Sequence, residues 1–300
     1  MGALVFAIES LLYKRIDAKD TIIQMFSSYY IKGRFMTEVY YSEKLGRRAF
    51  ALRILEVFKK PLEKAEKVFV KPNIVSYEAY PTTTHPEILD AVLDGLTNRN
   101  VVVGDAPAVD AGRSKKIMEK SPLRKICLSH GVSFVNLYSE KMTSIKSERG
   151  YRLRMSVLPL TCDLVISLPV LKVHFMCGLS GALKNQFGYL SRTDRILMHS
   201  RIKNIDKGIA ELNKAVPTSI YIVDAVETMV KAQECRHGGC PTDLGIMLGG
   251  SDPVSLDCFG LQLLERVEPA FKEMKQKCLK YIDYASEIGV GSKDFELTKL

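Results

Sequence analysis

The sequence lacks three features that would each assign the chain to a class of proteins. No apolar run approaches the roughly 20 residues that a transmembrane helix requires, so a membrane-spanning protein is not expected. No Cys-x-x-Cys pair occurs, and because a ferredoxin-type cluster needs four closely spaced cysteines, we expect no such cluster from this chain alone. Tryptophan is absent and aromatic residues do not alternate with basic ones, which argues against a nucleic-acid surface.

Targeting signals are also missing from the opening segment. Residues 1–17 have no basic start and no small-residue cleavage site, so we interpret them as a structural segment rather than a signal peptide. Phe6 stands where a myristoylation motif has Ser or Thr. Seven cysteines, odd in number and scattered, are typical of reduced thiols, and we therefore expect a cytoplasmic protein.

The net charge of +9 arises from 43 basic and 34 acidic residues that are interspersed along the chain. This pattern is typical of a solvated basic surface rather than of a nucleic-acid-binding face. A small anionic ligand would be stabilised in the same field. We therefore expect a small anion, and not a nucleic acid, as the partner.

Short apolar runs rich in β-branched residues alternate with longer amphipathic stretches. The runs predict strands at 67–73, 100–107, 132–137, 162–169, 219–226 and 244–250. The stretches predict helices at 44–65, 86–97, 113–128, 203–215, 252–265 and 268–286. This alternation predicts an α/β fold with a largely parallel sheet and helices on both faces. Residues 1–66 form a lead-in that the pattern does not assign, residues 67–300 form the α/β domain, and residues 138–162 form a charged hairpin or loop.

Polar side chains follow the predicted strands where the apolar runs end. They are Lys71, Asn73, Asp105, Lys172, His174 and Asp224. Because open parallel sheets bind ligands beyond the carboxyl ends of their strands, we expect these side chains to share one edge of the sheet. For any one of them, a solvated loop explains the same residue type.

The segment "GLSGALKNQFG" at 178–188 places Lys184 and Asn185 among small residues that let backbone amides approach a ligand. A helix that begins near Gly178 would offer its amides to an anion. Alternatively, Gly178 and Gly181 allow tight helix packing while Lys184 extends to solvent.

Two helix starts carry further candidates. In "TTTHPEIL", Thr84 and His85 lie where hydroxyl and imidazole groups could bind an anion, although Thr84 could equally cap the helix. Asp252 is a predicted N-cap that we also count among the ligand-binding residues. Asp257 is expected one turn later, where it could orient a lysine.

The turn "ECRHGGCP" contains Cys235, His237 and Cys240, which could be soft or borderline ligands of a metal ion. A Gly-rich turn with two incidental thiols is the alternative, since spacing alone is weak evidence. Gly239 of this turn is counted as a backbone contact to the ligand.

The motifs "VFVKPNIVS", "TTTHPEILDAV", "VVVGDAPA", "LPVLKVHFMCGLSGALKNQFG" and "GCPTDLGIMLGGSDPVSLD" resemble, in this order, domain-of-unknown-function family 362. The resemblance covers residues 67–297. Members are often fused to 4Fe–4S ferredoxin domains, which implies a ferredoxin-like or other redox partner. This chain departs from that pattern because it lacks the cluster cysteines, and its "ECRHGGCP" turn is altered.

The frame around His174, Lys184 and His199 is more distantly similar to nickel-pincer lactate racemases. The resemblance implies that Lys184 bonds to a cofactor, that His199 ligates nickel and that His174 transfers protons. His85 stands where that family has an arginine, and Asp105 where it has a second acid/base histidine. It also implies a ligand held between two α/β lobes.

Together these features favour an enzyme that acts on a small anion by racemase-like or redox-related proton or hydride chemistry. Lys71, Lys172 and Lys184 would hold negative charge, while His174 and Asp105 would transfer protons. The cofactor is left open between a metal (nickel, zinc or iron) and a nucleotide-like group. The alternative is a non-catalytic accessory protein that binds a cofactor or an iron–sulfur partner.

Overall fold

The computed structural model describes residues 29–31, 34–268 and 271–300. The chain divides into two units, 1–37 and 38–300. In the first, strand β1 (Tyr29–Ile31) pairs antiparallel with the beginning of β2 (Arg34–Ser42). The opening segment 1–17, interpreted above from its sequence, lies outside the described residues. The second unit includes residues 38–66, which the sequence had assigned to the lead-in.

The second unit is a mixed α/β structure built on a large sheet. Its further strands are β3 (Lys67–Pro72), β4 (Asn100–Asp105), β5 (Ser133–Asn136), β8 (Leu164–Leu168), β11 (Ile220–Val230), β12 (Cys240–Gly250) and β13 (Phe295–Lys299). Hairpins are formed by β6 (Met142–Lys146) with β7 (Arg152–Ser156) and by β9 (Lys172–His174) with β10 (Gly178–Ser180). The sheet order is β2-β12-β11-β8-β3-β4-β5, with β13 paired to β2.

Strands β5, β4, β3, β8 and β11 pair in parallel, whereas β11, β12 and β2 pair antiparallel. The predicted α/β class with a largely parallel sheet is therefore confirmed, and each predicted strand is present. The charged excursion predicted at 138–162 contains the β6–β7 hairpin. The division of residues 67–300 into two lobes stays a prediction.

The helices follow the predicted ranges with two breaks. They are α1 (Arg47–Val57), α2 (Lys59–Lys64), α3 (Pro86–Gly95), α4 (Ser114–Lys120), α5 (Pro122–Ser129), α6 (Ala182–Asn185), α7 (Arg192–His199), α8 (Ile205–Ala215), α9 (Pro253–Val267) and α10 (Phe271–Glu287). The helix predicted at 113–128 breaks at Ser121, because the residue before a proline avoids the helical conformation. Ser121 then caps α5 by accepting from the Leu123 N–H. No helix among these is long and apolar enough to cross a membrane.

The segment 178–188 differs from its prediction, because no helix begins near Gly178. Gly178 has φ +78° and opens β10, and α6 begins only at Ala182. The Asp257 carboxylate accepts from the N–H groups of Ala182 (2.6 Å) and Leu183 (3.1 Å), so these amides are not available to a ligand. Asp257 therefore caps α6 instead of orienting a lysine.

We expect Gly178→Ala to destabilise the fold more than Gly150→Ala, although the two glycines have nearly equal φ of +78° and +80°. A left-handed conformation costs an alanine roughly 1–2 kcal/mol at either position. At Gly178 the added Cβ would also lie 2.5 Å from the Met274 carbonyl oxygen, whereas nothing lies within 4 Å at Gly150. Urea unfolding should show an additional loss of about 1–3 kcal/mol for Gly178→Ala. Equal losses for the two variants would contradict the packing of β10 against α10.

Candidate functional site

A cavity of about 520 Å³ lies at the carboxyl ends of β3 and β4, beside the β9–β10 hairpin, α6 and α7. The structure brings most of the sequence-predicted residues to its lining. These are Lys71, Asn73, Asp105, Lys172, His174, Lys184, Asn185, His199 and His237. The polar ends of distant segments thus meet at one edge of the sheet.

Lys71 and Asp105 form a buried ion pair at the base of the cavity. The Lys71 Nζ lies 2.6 Å from Asp105 Oδ1 and also donates to the Pro72 carbonyl oxygen at 2.8 Å. Asp105 accepts two backbone N–H groups as well, from Ile74 (2.6 Å) and Ala106 (2.7 Å). Both carboxylate oxygens are thus engaged, and Asp105 holds Lys71 and two loops. Its expected proton-transfer role stays a prediction.

Lys172 is 1% exposed and extends from β9 into the cavity. Its Nζ donates to the Thr82 carbonyl oxygen at 2.5 Å. Burial lowers the pKa of Lys172 to about 7, against the attraction of Glu234. This amine can therefore bind and release a proton near neutral pH.

Lys184 and Arg195 bring positive charge to the cavity without a carboxylate partner among the described residues. The Lys184 Nζ lies 4.6 Å from the centroid of the Phe187 ring, and burial lowers its pKa. Arg195 donates through Nη1 to the Ala106 carbonyl oxygen at 2.8 Å, while its buried Nε has no hydrogen-bond partner. Both side chains are less than 10% exposed.

Of the three histidines that line the cavity, His174 and His199 are neutral imidazoles. The His174 Nδ1 accepts from the N–H groups of Met176 and Cys177, each at 3.2 Å, so the ring proton is on Nε2. The His199 Nδ1 lies 2.7 Å from the Arg195 carbonyl oxygen, so Nδ1 carries the proton and Nε2 is an acceptor. Burial lowers the pKa of His199 to about 4 and that of His174 well below its ordinary value.

Asn185, Asn73 and Thr84 serve the framework of the site. The Asn185 Nδ2 donates to Ser167 Oγ (2.8 Å) and to the Lys71 carbonyl oxygen (3.3 Å). The Thr84 hydroxyl donates to the Leu168 carbonyl oxygen and accepts from the Asn73 N–H. These contacts tie the ends of β3 and β8 together.

Five predicted ligand contacts do not line the cavity: Thr84, described above, and four further residues. Asp224 pairs with Arg47 at 2.8 Å and accepts from the Tyr80 hydroxyl, and His85 caps α3 by accepting from the Glu87 N–H. Asp252 caps α9 and also accepts from the Ser292 N–H. Gly239 packs inside its turn, where a Cβ would lie 2.5 Å from the Ala232 carbonyl oxygen.

The turn with Cys235, His237 and Cys240 does not assemble a set of metal ligands. In the described part of the chain, no group of three or more His, Cys, Asp or Glu side chains is placed to hold a metal ion. His237 instead contacts Gln233 and Asp110. The turn itself is held by the Glu78 carboxylate, which accepts from the Cys235 and Arg236 N–H groups.

A metal held mainly by an organic cofactor needs fewer protein ligands than a metal held by side chains alone. The cavity presents the Lys184 amine, the His174 ring and the Nε2 acceptor of His199, which are the groups that the racemase resemblance assigns to cofactor attachment, proton transfer and metal ligation. The roles that the resemblance implies for these three residues stay predictions, as does the proton-transfer role of Asp105, which pairs with Lys71.

Arg195 was missed by the sequence reasoning. It lies on α7, a helix rich in charged residues that no apolar period marked, and its Cζ lies 5.5 Å from the Tyr138 ring centroid and 5.6 Å from that of Phe187. An arginine one turn before His199, which was already a candidate, was the available signal.

Comparisons with known proteins agree with the motif resemblance. A family model described as "Domain of unknown function (DUF362)" matches residues 68–262. A thylakoid-associated protein of Synechocystis sp. is 23% identical over 213 residues, which cover 68% of this chain and 64% of that protein. The chain thus spans slightly less than two thirds of the length of this curated relative.

Two solved structures match parts of this chain. The lactate racemase apoprotein from Thermoanaerobacterium thermosaccharolyticum matches with a TM-score of 0.46 and 17% identity, over 71% of this chain and 54% of that chain. A structural-genomics protein from Thermotoga maritima matches with a TM-score of 0.39 and 13% identity, over 82% of this chain and 60% of that chain.

The low pKa of Lys172 predicts a change of stability with pH that Lys172→Met should remove. Between pH 7 and 10.5 the unfolded chain holds this proton and the folded chain has released it, so the free energy of unfolding rises with pH. Wild type should therefore gain about 2 kcal/mol relative to Lys172→Met between pH 7 and pH 9. Denaturant unfolding at several pH values measures this difference. A constant difference would show that Lys172 titrates at its ordinary pKa.

Proposed function

The chain belongs to the family described as Domain of unknown function (DUF362), and from this premise and the cavity we propose that it binds a small carboxylate or phosphate and acts on it by proton transfer. The observation that carries the proposal is the buried, uncompensated charge of Lys184 and Arg195. A cytoplasmic location is part of the proposal and is based on the odd, scattered cysteines.

The charges around the cavity leave an excess of cations. Three carboxylates line it, of which Asp105 pairs with Lys71, while Asp110 and Glu234 both pair with Arg236. Lys172, Lys184 and Arg195 remain without an ion-pair partner in the described residues. Because an isolated buried charge is costly, an anion in this cavity would be stabilised by Lys184 and Arg195, and also by Lys172 when that amine is protonated.

The groups that could transfer protons lie around the same space. Lys172 exchanges a proton near neutral pH, and two neutral imidazoles present a donor and an acceptor nitrogen. General acid–base catalysis is most efficient when the pKa of the group lies near the working pH, which favours Lys172 over both histidines. We therefore assign Lys172 the leading proton-transfer role.

The alternative is a protein that binds the same anion without changing it. The pairing of Asp105 with Lys71 supports this alternative, because a structural role accounts for the one carboxylate that the sequence had offered as a base. The two functions share the anion site and differ in whether the bound anion is converted.

Anion binding should appear as a rise in melting temperature that depends on Lys184 and Arg195. Phosphate, lactate and succinate are titrated against wild type, Lys184→Met and Arg195→Met, with Lys115→Met on the exposed face of α4 as the control. A ligand at 100 times its Kd stabilises by about 2.7 kcal/mol, which corresponds to a shift of several degrees. We expect the shift in wild type and the control and its loss in both cavity variants.

A shift of equal size in all four proteins would contradict the anion site, as would the absence of any shift in wild type. Racemisation of lactate, followed by chiral chromatography, then separates an enzyme from a binding protein. Racemisation of lactate by wild type that is lost in Lys172→Met would support an enzyme. Binding of the anion without racemisation would support the non-catalytic alternative.

A further inference from the structure

Lys172 differs from the other cavity lysines in its surroundings. Within the described residues, the Lys172 amine donates one hydrogen bond, to the neutral carbonyl oxygen of Thr82, whereas Lys71 is held by the Asp105 carboxylate. The charged groups that face Lys172 are Glu234, Glu78 and Asp105, which favour its protonated form, and Lys184, which opposes it. Burial outweighs the three carboxylates.

The geometry suits a neutral amine that is ready to react. An unprotonated amine has two N–H groups and one lone pair, so donation of one N–H to the Thr82 carbonyl leaves the lone pair unused. Desolvated lysines next to another cation are the lysines that attack carbonyl carbons. Lys172 is buried and lines a cavity large enough for a small ligand. The positive charge of Lys184 disfavours the protonated form of Lys172.

We propose that the anion taken by this site carries an aldehyde or ketone group, as a 2-oxo acid does, and that Lys172 forms an imine with it. This inference rests on the anion binding of the proposed function and adds the chemical class of the ligand. Lys184 and Arg195 hold the carboxylate, and Lys172 attacks the carbonyl.

The step balances without an oxidant or a reductant. The Lys172 nitrogen lone pair forms a bond to the carbonyl carbon, and the electrons of the C=O π bond move to the oxygen, which takes up a proton. The nitrogen loses one proton to give a neutral carbinolamine, the oxygen is protonated a second time, and the C–O bond breaks to release water and leave a protonated iminium. Loss of the second nitrogen proton from the iminium then gives the imine. The net reaction is amine plus carbonyl to imine plus water.

The imidazoles suit the polar groups formed in this step. His174 has its proton on Nε2 and can donate a hydrogen bond to a developing alkoxide, while His199 Nε2 can accept a hydrogen bond from the carbinolamine hydroxyl. Both rings line the same cavity as Lys172. An imine at Lys172 would also withdraw electrons from the adjacent carbon, which would ease removal of a proton from that carbon.

Reductive trapping tests the inference directly. Wild-type protein is incubated at pH 7 with pyruvate or glyoxylate, and sodium cyanoborohydride then delivers hydride to the imine carbon and fixes it as a secondary amine. Intact mass spectrometry should show one addition equal to the mass of the acid less one oxygen atom. Peptide mapping should place it on Lys172, with labelling at least about tenfold above that of the exposed Lys115, whose amine is almost wholly protonated at this pH.

Variants and competitors make the result specific. Lys172→Met and Lys172→Arg should lose the addition, and the second variant preserves a cation in case the first does not fold. Lactate has no carbonyl group at its second carbon and should give no addition with the same reductant. Phosphate should suppress the labelling in wild type by occupying the anion site.

The outcomes separate this inference from the proposed function. A melting-temperature shift with pyruvate but no addition, or an addition on Lys184 or spread over surface lysines, would overturn the imine while leaving anion binding intact. The absence of both the shift and the addition would overturn the proposed function as well. One addition confined to Lys172 supports both.

Discussion

The buried ion pair between Lys71 and Asp105 is the interaction on which the site depends. It joins the carboxyl ends of β3 and β4, and the same carboxylate binds the backbone of the loops that follow both strands. Removal of one member of such a pair typically costs 3–5 kcal/mol, because the other charge is left buried and alone. The backbone at Gly188 packs directly against the ion pair, because a Cβ at this position would lie 2.1 Å from Asp105 Oδ1.

Next to the Lys71–Asp105 ion pair, which has no net charge, the cavity holds positive charge that no carboxylate of the described residues neutralises. Each lining carboxylate already has a cationic partner, so the ammonium of Lys184 and the guanidinium of Arg195 bear the cost of burial without one. Aromatic rings lower this cost only in part, because a cation over a ring gains about 0.5–2 kcal/mol. A fold that keeps such groups gives up stability unless an anion restores the balance.

The sequence predicted the strands and most of the cavity lysines and histidines because apolar runs and the residues that end them are local signals. The prediction that Asp224 lies at the end of a strand was wrong for a physical reason. The apolar run ends near it, but β11 continues to Val230 in an antiparallel ladder with β12, so Asp224 lies within a strand and not at its end. Arg195 could not be found from periodicity, because its role depends on where the polar helix α7 packs. The capping of α6 by Asp257, 75 residues away, is likewise a tertiary contact that no local pattern contains.

The Thr82 carbonyl oxygen connects two motifs that lie far apart in the sequence. It accepts from the Asn73 side chain, which belongs to the Lys-Pro-Asn motif, and from the Lys172 amine of the Lys-x-His motif. The orientation of the Lys172 amine is therefore set by the same loop that follows β3. Asn185 makes the corresponding link on the other side, because it binds the Lys71 carbonyl while its neighbour Lys184 lines the cavity. The Lys-Pro-Asn and Lys-Asn motifs thus each combine a lysine that brings charge to the cavity with an asparagine that holds a nearby backbone carbonyl, so the packing of the strand ends and the charge of the cavity depend on the same short segments.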